Sequence, residues 1–319
     1  MKKITIDFVD FWSGFNKENN FIYNTLKKKY DIEISKNPEY VFCSLFGKEH
    51  IKYNKAIKIL LIGENIAPDF NLYDYAIGFY DIKFDDRYLK YNILFDEKMV
   101  ELALNREAKI KEKFCSFVYS NGNLSSKRRE IFEKLNEYKK VDSGGRYLNN
   151  IGGNIGKTKQ DKIDFQKEYK FVIACENQSF KEYNTEKLLE AFASGGIPIY
   201  WGDPEINKIY NPKAFINCSD FKNMDELKEK IIELDNDDKK YMEYLKEPVF
   251  NKEFEYRRER KKFEDFLNNI ISKDYTEAKK VKMSKEYYTY NFYRPYLRLD
   301  YIRGKIIKVK GKIKKILKR

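Results

Sequence analysis

Residues 171–202 limit the possible folds of this chain more than any other stretch. An apolar run, Phe171 to Ala174, ends in the polar residues Glu176, Asn177 and Gln178. An amphipathic helix is predicted to start at Asn184/Thr185 and to stop at Gly195-Gly196. A second apolar run, Ile197 to Trp201, ends at Gly202. Strand, loop, helix, strand is the unit of a parallel α/β sheet. In open sheets of this kind ligands collect where strands end and helices begin.

The start of that helix carries a cation, Lys187, in its first turn. The macrodipole is positive there, so a lysine is disfavoured unless something compensates it. Two readings stay open. Lys187 is a solvated residue paired with Glu190 or Glu182, or an anion sits at the helix start and is held by the lysine together with the N–H groups, as a phosphate is.

The same α/β pattern extends in both directions. Upstream, strands are predicted at 4–8, 31–35, 40–46, 57–62 and 75–79, with a helix at 21–29. The loop from Gly63 to Phe70 is rich in Gly, Asn and Pro and follows a strand directly, which puts Glu64 at the carboxyl edge of a first sheet. Residues 108–113 read as a charged linker. A second pattern follows: a strand at 114–119, a helix from 125 to about 138, a strand at 141 running into a glycine turn, and a polar loop at 152–162. Beyond the opening segment come a strand at 214–218, a helix at 224–234 and a largely helical stretch at 237–271. The predicted organisation is two α/β halves facing each other across a cleft, at 1–110 and 111–270, with a tail at 271–319.

Composition excludes several classes. The 319 residues suffice for two domains, and 42% hydrophobic with 35% charged residues is a globular balance. No run of 18 apolar residues predicts a transmembrane helix, and the strand-like N-terminus with its early acid does not read as a signal peptide. Cys43, Cys115, Cys175 and Cys218 are too scattered for a zinc site and read as buried thiols. The single histidine, His50, argues against a Ser-His-Asp triad, so carboxylates are the expected proton-transfer groups. Of the net +13, nine charges come from residues 303–319, which contain no acid, leaving +4 for the rest. With its aromatics in apolar runs and no recognised motif, the chain is not expected to bind nucleic acid. In the tail, Ile306, Val309, Ile313 and Ile316/Leu317 recur at helical steps, behind an aromatic cluster from Tyr287 to Tyr301. That pattern predicts a basic amphipathic helix on an anionic membrane, and so a cytoplasmic protein peripheral to the inner face. Asp235-Asn236-Asp237 lies between two predicted helices and reads as a capping turn rather than a metal site.

Several ordered motifs resemble one family. They are Cys-Glu-Asn at 175–177, Tyr-Asn-Thr-Glu-Lys at 183–187 and Ile-Pro-Ile-Tyr-Trp-Gly at 197–202. Upstream they include Gly63-Glu64-Asn65, Pro68-Asp69-Phe70, the stretch from Tyr73 to Phe79, Asp86-Arg87-Tyr88-Leu89, and Phe117-Val118-Tyr119-Ser120-Asn121 leading to Arg128. Together they resemble the α-1,3-fucosyltransferases of glycosyltransferase family 10, most nearly bacterial ones acting on Lewis-type and O-antigen glycans. The resemblance implies a GT-B fold of two Rossmann-like domains, with the acceptor in the first and GDP-fucose in the second. It implies inverting transfer of fucose to a GlcNAc or Glc hydroxyl, with no required metal and a divalent cation stimulatory at most. It implies Glu64 as catalytic base, Arg128 (within Lys127-Arg128-Arg129) and Lys187 as diphosphate binders, Glu186 as a ribose partner, and Asn177 and Tyr183 as donor contacts. Asn184 stands where the family usually has an aliphatic residue, and no C-terminal heptad repeats are present. A related enzyme using another nucleotide sugar is the alternative.

Overall fold

A computed structural model describes residues 1–91, 96–122, 126–281 and Arg303. Apart from Arg303, the predicted tail helix and the aromatic cluster before it lie outside the described residues.

Two parallel sheets form the body. The first has the order β2-β1-β3-β4-β5-β6, from β1 (Lys2–Val9), β2 (Tyr30–Ile34), β3 (Tyr40–Cys43), β4 (Ile57–Leu61), β5 (Tyr75–Gly78) and β6 (Tyr88–Lys90). The second has the order β11-β10-β9-β7-β8, from β7 (Lys113–Phe117), β8 (Val141–Ser143), β9 (Tyr169–Cys175), β10 (Ile197–Trp201) and β11 (Ile216–Asn217). Every residue of β4 and β9 is buried. Strands covered on both faces select unbroken apolar runs instead of alternation, which is why these strands were legible in the sequence. In the first sheet the chain leaves β1 for β2 on one side and returns for β3 on the other. In the second, the same reversal separates β7 from β9. Each reversal opens a crevice at the carboxyl ends of the flanking strands.

The helices are α1 (Phe21–Leu26), α2 (Glu97–Leu104), α3 (Ser126–Asn136), α4 (Lys159–Gln166), α5 (Glu186–Ala193), α6 (Met224–Asn236), α7 (Asp238–Lys246), α8 (Tyr256–Ser272) and α9 (Tyr275–Ala278). The polar loop predicted at 152–162 gives way to α4, which begins at a capping box formed by Thr158 and Asp161. The stretch predicted as largely helical breaks between α7 and α8, around Pro248. Asp237 accepts a hydrogen bond from Lys240 N and caps α7, as read from the sequence. All four cysteines are buried and unpaired.

The helices pack across the predicted division at 110 and 270. Helix α8, expected with the second half, lies on the first. Phe263 packs against Phe21 and Tyr91, Tyr30 Oη bonds Asn268 at 3.3 Å, and Arg260 donates to Thr25 Oγ1 at 2.7 Å. The cause is its apolar stripe, Phe263, Leu267, Ile270 and Ile271, spaced for one helix face and wholly buried. Burying each such side chain contributes about 1.5–3 kcal/mol. Conversely α2, which precedes the linker, packs against α5 of the second half.

Candidate active site

At the second sheet's crevice, β9 ends and α5 begins. Thr185 sits at the N-cap of α5 but its side chain makes no capping bond. A carboxylate does that job instead. Glu176, fully buried, accepts from Thr185 N at 2.7 Å and holds the Thr185 hydroxyl at 2.8 and 3.0 Å. Its Oε2 also accepts from Lys187 Nζ at 2.9 Å. An anion does sit at this helix start, and it is the protein's own. The local partners considered for Lys187 are engaged elsewhere: Glu190 with Lys162 at 2.9 Å and Glu182 with Lys90 at 2.5 Å. The helix N-terminus favours the carboxylate, and the carboxylate in turn makes the buried lysine tolerable. Burial pulls the Lys187 pKa down, but Glu176 and Glu186 beside it outweigh that and hold it well above the usual lysine range. Gly202 is required by this arrangement, since a Cβ there would collide with the Glu176 side chain.

Glu186 lies 3.3 Å from Lys187, with its side chain 40% exposed toward the cleft. Burial raises its pKa, while Lys187 and Lys162 lower it more strongly, so it is held as the carboxylate.

Arg128 is turned inward from α3. It shares the buried face of that helix with Ile131, Phe132 and Leu135. Its neighbours instead pair along the helix surface, Lys127 with Glu130 and Arg129 with Glu133. The Arg128 guanidinium donates to Cys175 O at 3.1 and 3.3 Å, to Asn121 O at 3.3 Å and to Asn177 Oδ1, and it stacks 4.4 Å over the Tyr119 ring. It therefore clamps the end of β9.

From the first sheet, the loop after β4 brings Glu64 to meet these residues. Asn177 Nδ2 donates to Glu64 Oε2 at 3.0 Å, and the Tyr183 hydroxyl donates to the same oxygen at 3.4 Å. Because Arg128 occupies Asn177 Oδ1, the amide must turn its N–H side to Glu64. Tyr183 is buried with its ring edge against Phe79, and burial, then the Glu176 charge, raises its pKa and keeps the donating proton in place. Asn65 Nδ2 crosses the same gap to Gln178 Oε1 at 2.8 Å. A cavity of about 990 Å³ opens beside this junction, lined by Glu64 and Glu186 among others.

The structure thus brings Glu64, Asn177 and Tyr183 into contact, reaches Arg128 through Asn177, and sets Glu186 and Lys187 at the adjoining helix start. Asn184, the departure from the family pattern, is buried with a polar partner: its Nδ2 lies 3.3 Å from Asp203 Oδ2. Sequence reasoning missed Glu176, although it stands inside the Cys-Glu-Asn motif, and Tyr119, whose hydroxyl oxygen accepts from Cys175 N at 2.5 Å.

Comparison with known proteins agrees with this geometry. The family model described as the α-(1,3)-fucosyltransferase FucT N-terminal domain matches residues 6–95, and that of the glycosyltransferase family 10 (fucosyltransferase) C-terminal part matches 108–291. The α-(1,3)-fucosyltransferase FucT of Helicobacter pylori is 32% identical over 277 residues, 73% of this chain and 57% of that protein. A fucosyltransferase of Acanthamoeba polyphaga mimivirus, itself described as putative, is 31% identical over 61% of this chain and 34% of its own length. The chain thus spans about half the length, or less, of these curated relatives. Among solved structures, an α1,3-fucosyltransferase with GDP superposes with a TM-score of 0.67 at 28% identity, covering 86% of this chain and 92% of that one. One with GDP-fucose gives a TM-score of 0.64 at 28% identity, covering 86% and 93%. Two parallel sheets closing on one cleft, with the family's motifs meeting there, agree with both matches: the chain belongs to glycosyltransferase family 10, the fucosyltransferases.

Proposed function

We propose that this protein transfers L-fucose from GDP-β-L-fucose to a GlcNAc or Glc hydroxyl of a glycan, with inversion to an α-1,3 linkage. The observation that carries this is the junction of Glu64, from the first half, with Asn177 and Tyr183 of the second half. In this reading the acceptor oxygen attacks C1 of fucose as the bond from C1 to the phosphate breaks. Glu64 takes the acceptor proton. Asn177 and Tyr183 hold one carboxylate oxygen, leaving the other to face the acceptor. Arg128, for which the resemblance implies a diphosphate contact, is bonded to Cys175 O, Asn121 O and Asn177 Oδ1, and in this reading it acts as a positioning residue through Asn177.

GDP leaves with charge building on its phosphates. The ribose hydroxyls bond Glu186, which draws that carboxylate off Lys187 and frees an ammonium N–H for a phosphate oxygen. Positive charge from Lys187 and the start of α5 serves the leaving group, and the reading calls for no resident metal. We also propose that the basic segment 303–319 holds the enzyme on the inner face of the cytoplasmic membrane. Cosedimentation with anionic vesicles at low and high salt checks this, and protein remaining in the supernatant at low salt removes it.

The test of the activity is incubation with GDP-fucose and N-acetyllactosamine, with the product's anomeric configuration read by NMR. An α-linked fucoside is expected. GDP-fucose left intact while another nucleotide sugar is consumed would replace the donor assignment.

A further inference from the structure

The crevice of the first sheet carries a second feature that the chemistry above does not use. Its flanking strands, β1 and β3, lead into loops that carry Trp12 and Phe46. These side chains are 53% and 56% exposed. Both line the cavity that contains Glu64, and their rings meet edge to face at 6.4 Å. Phe11 and Phe15 also approach Trp12 at steep angles, so among the described residues no ring stacks on the indole.

The cavity lining is mixed. Every lining residue from Trp12 to Gly63 is uncharged, and the amides of Asn16, Asn19 and Asn24 are among them. The charged lining residues are four acids, Glu64, Asp96, Glu97 and Glu186, and three bases, Lys98, Lys159 and Arg260. Among these bases Lys159 pairs with Asp96 and Arg260 with Glu97. The neutral lining around Trp12 and Phe46, aromatic with amides, suits a ligand having both an apolar face and hydroxyl groups.

The two loops are also held in place. Asp10, at a left-handed φ of 64°, accepts from Glu49 N at 2.7 Å and His50 N at 3.0 Å, and its carboxylate meets His50 Nδ1 at 2.6 Å. The backbone closes the arrangement, with Phe46 N donating to Asp10 O at 2.9 Å. Gly47 lets the loops approach, because a Cβ there would collide with the Asp10 carboxylate. A strained residue bonded to the opposite loop fixes the spacing of the aromatic pair.

We propose that Trp12 and Phe46 form the seat for the acceptor, a neutral pyranose whose C–H face stacks on the indole while its hydroxyls reach the neighbouring amides. This rests on the fucosyl-transfer reading for its reaction, though not for its binding. The test uses N-acetyllactosamine and GDP as separate probes. Trp12→Ala is expected to raise the acceptor KM about tenfold, the scale of one aromatic contact, with GDP affinity by calorimetry unchanged. Trp12→Phe restores most of the affinity because a ring face returns, and Trp12→Leu does not. Binding is also read without turnover: the disaccharide alone shifts the fluorescence of wild type and not of Trp12→Phe, in which Trp201 is the remaining tryptophan. An unchanged acceptor KM in Trp12→Ala, rescue by leucine, or a loss of GDP affinity overturns the proposal. A wild type that binds the disaccharide through Trp12 yet consumes no GDP-fucose overturns the function and leaves the seat standing.

Discussion

The two crevices are built alike and furnished differently. Each lies between strands that diverge in opposite directions across a parallel sheet. In the second, charge is buried and paired: Glu176 is fully enclosed, Lys187 is tied to it, and Arg128 is 2% exposed. In the first, the side chains facing the cavity from Trp12 to Gly63 are uncharged, and two aromatics stand in the open. A closed network of charges presents one fixed geometry, as suits an invariant ligand. An open aromatic and amide surface fixes an orientation while tolerating variation around it. Glu64 is the point where the two styles touch.

If that contrast holds, substitutions at the two crevices fail in different ways. The largest effect is expected at the contact itself. Glu64→Gln keeps the shape and still accepts from Asn177, yet transfer should fall by about 10²–10⁴-fold, the typical worth of a general base. GDP affinity and the unfolding midpoint should stay near wild type. Near-normal turnover would take Glu64 out of the chemistry.

Glu176→Gln tests the opposite side. It leaves Lys187 buried beside a neutral amide and a helix N-terminus, so the fold should suffer first. Removing one member of a buried pair costs about 3–5 kcal/mol, and denaturant titration reads it directly. An unchanged midpoint would mean that the network is less closed than its geometry, and the contrast would weaken.

Asp10→Asn gives the smallest effect and sharpens the comparison, because Asp10 is a buried charge at the first crevice. Burial raises its pKa, but the hydrogen bonds from His50 and Glu49 outweigh that and hold it below the ordinary carboxylate value. A depressed folded value stabilises above the unfolded pKa, about 3.9, and that contribution is lost as pH falls through the folded one. The variant should lose about 1–3 kcal/mol near pH 7, where it leaves backbone N–H groups less well satisfied. It should also show a flatter decline in stability below about pH 4. Identical acid limbs for the two proteins would show that Asp10 contributes nothing there.

How far the sequence could be read depended on distance along the chain. Strands β4, β9 and β10 stood out because sheets covered on both sides demand apolar runs. Strand β6, three residues at a sheet edge, offered no such run, and α2 was passed over although Met99, Val100 and Ala103 share its buried side. Glu64 was visible because it follows a strand. The partner of Lys187 was not, because local pairing rules look three or four residues away and Glu176 lies eleven upstream, across a loop. Arg128 was singled out by the resemblance, and the structure separates it from its run by the buried face it shares with Ile131, Phe132 and Leu135. Trp12 and Phe46 belong to no periodic pattern, and only the fold brings their loops side by side.

The path of α8 sets a rule for recombination. A chimera between relatives cut at the linker would exchange everything before it. Here such a cut would separate α8 from the surface it was selected to cover, pairing Phe263 and Arg260 with a foreign Phe21 and Thr25. The transferable unit of the first half is therefore discontinuous: residues 1–91 travel with 256–272, and a graft that moves one without the other leaves an apolar groove uncovered.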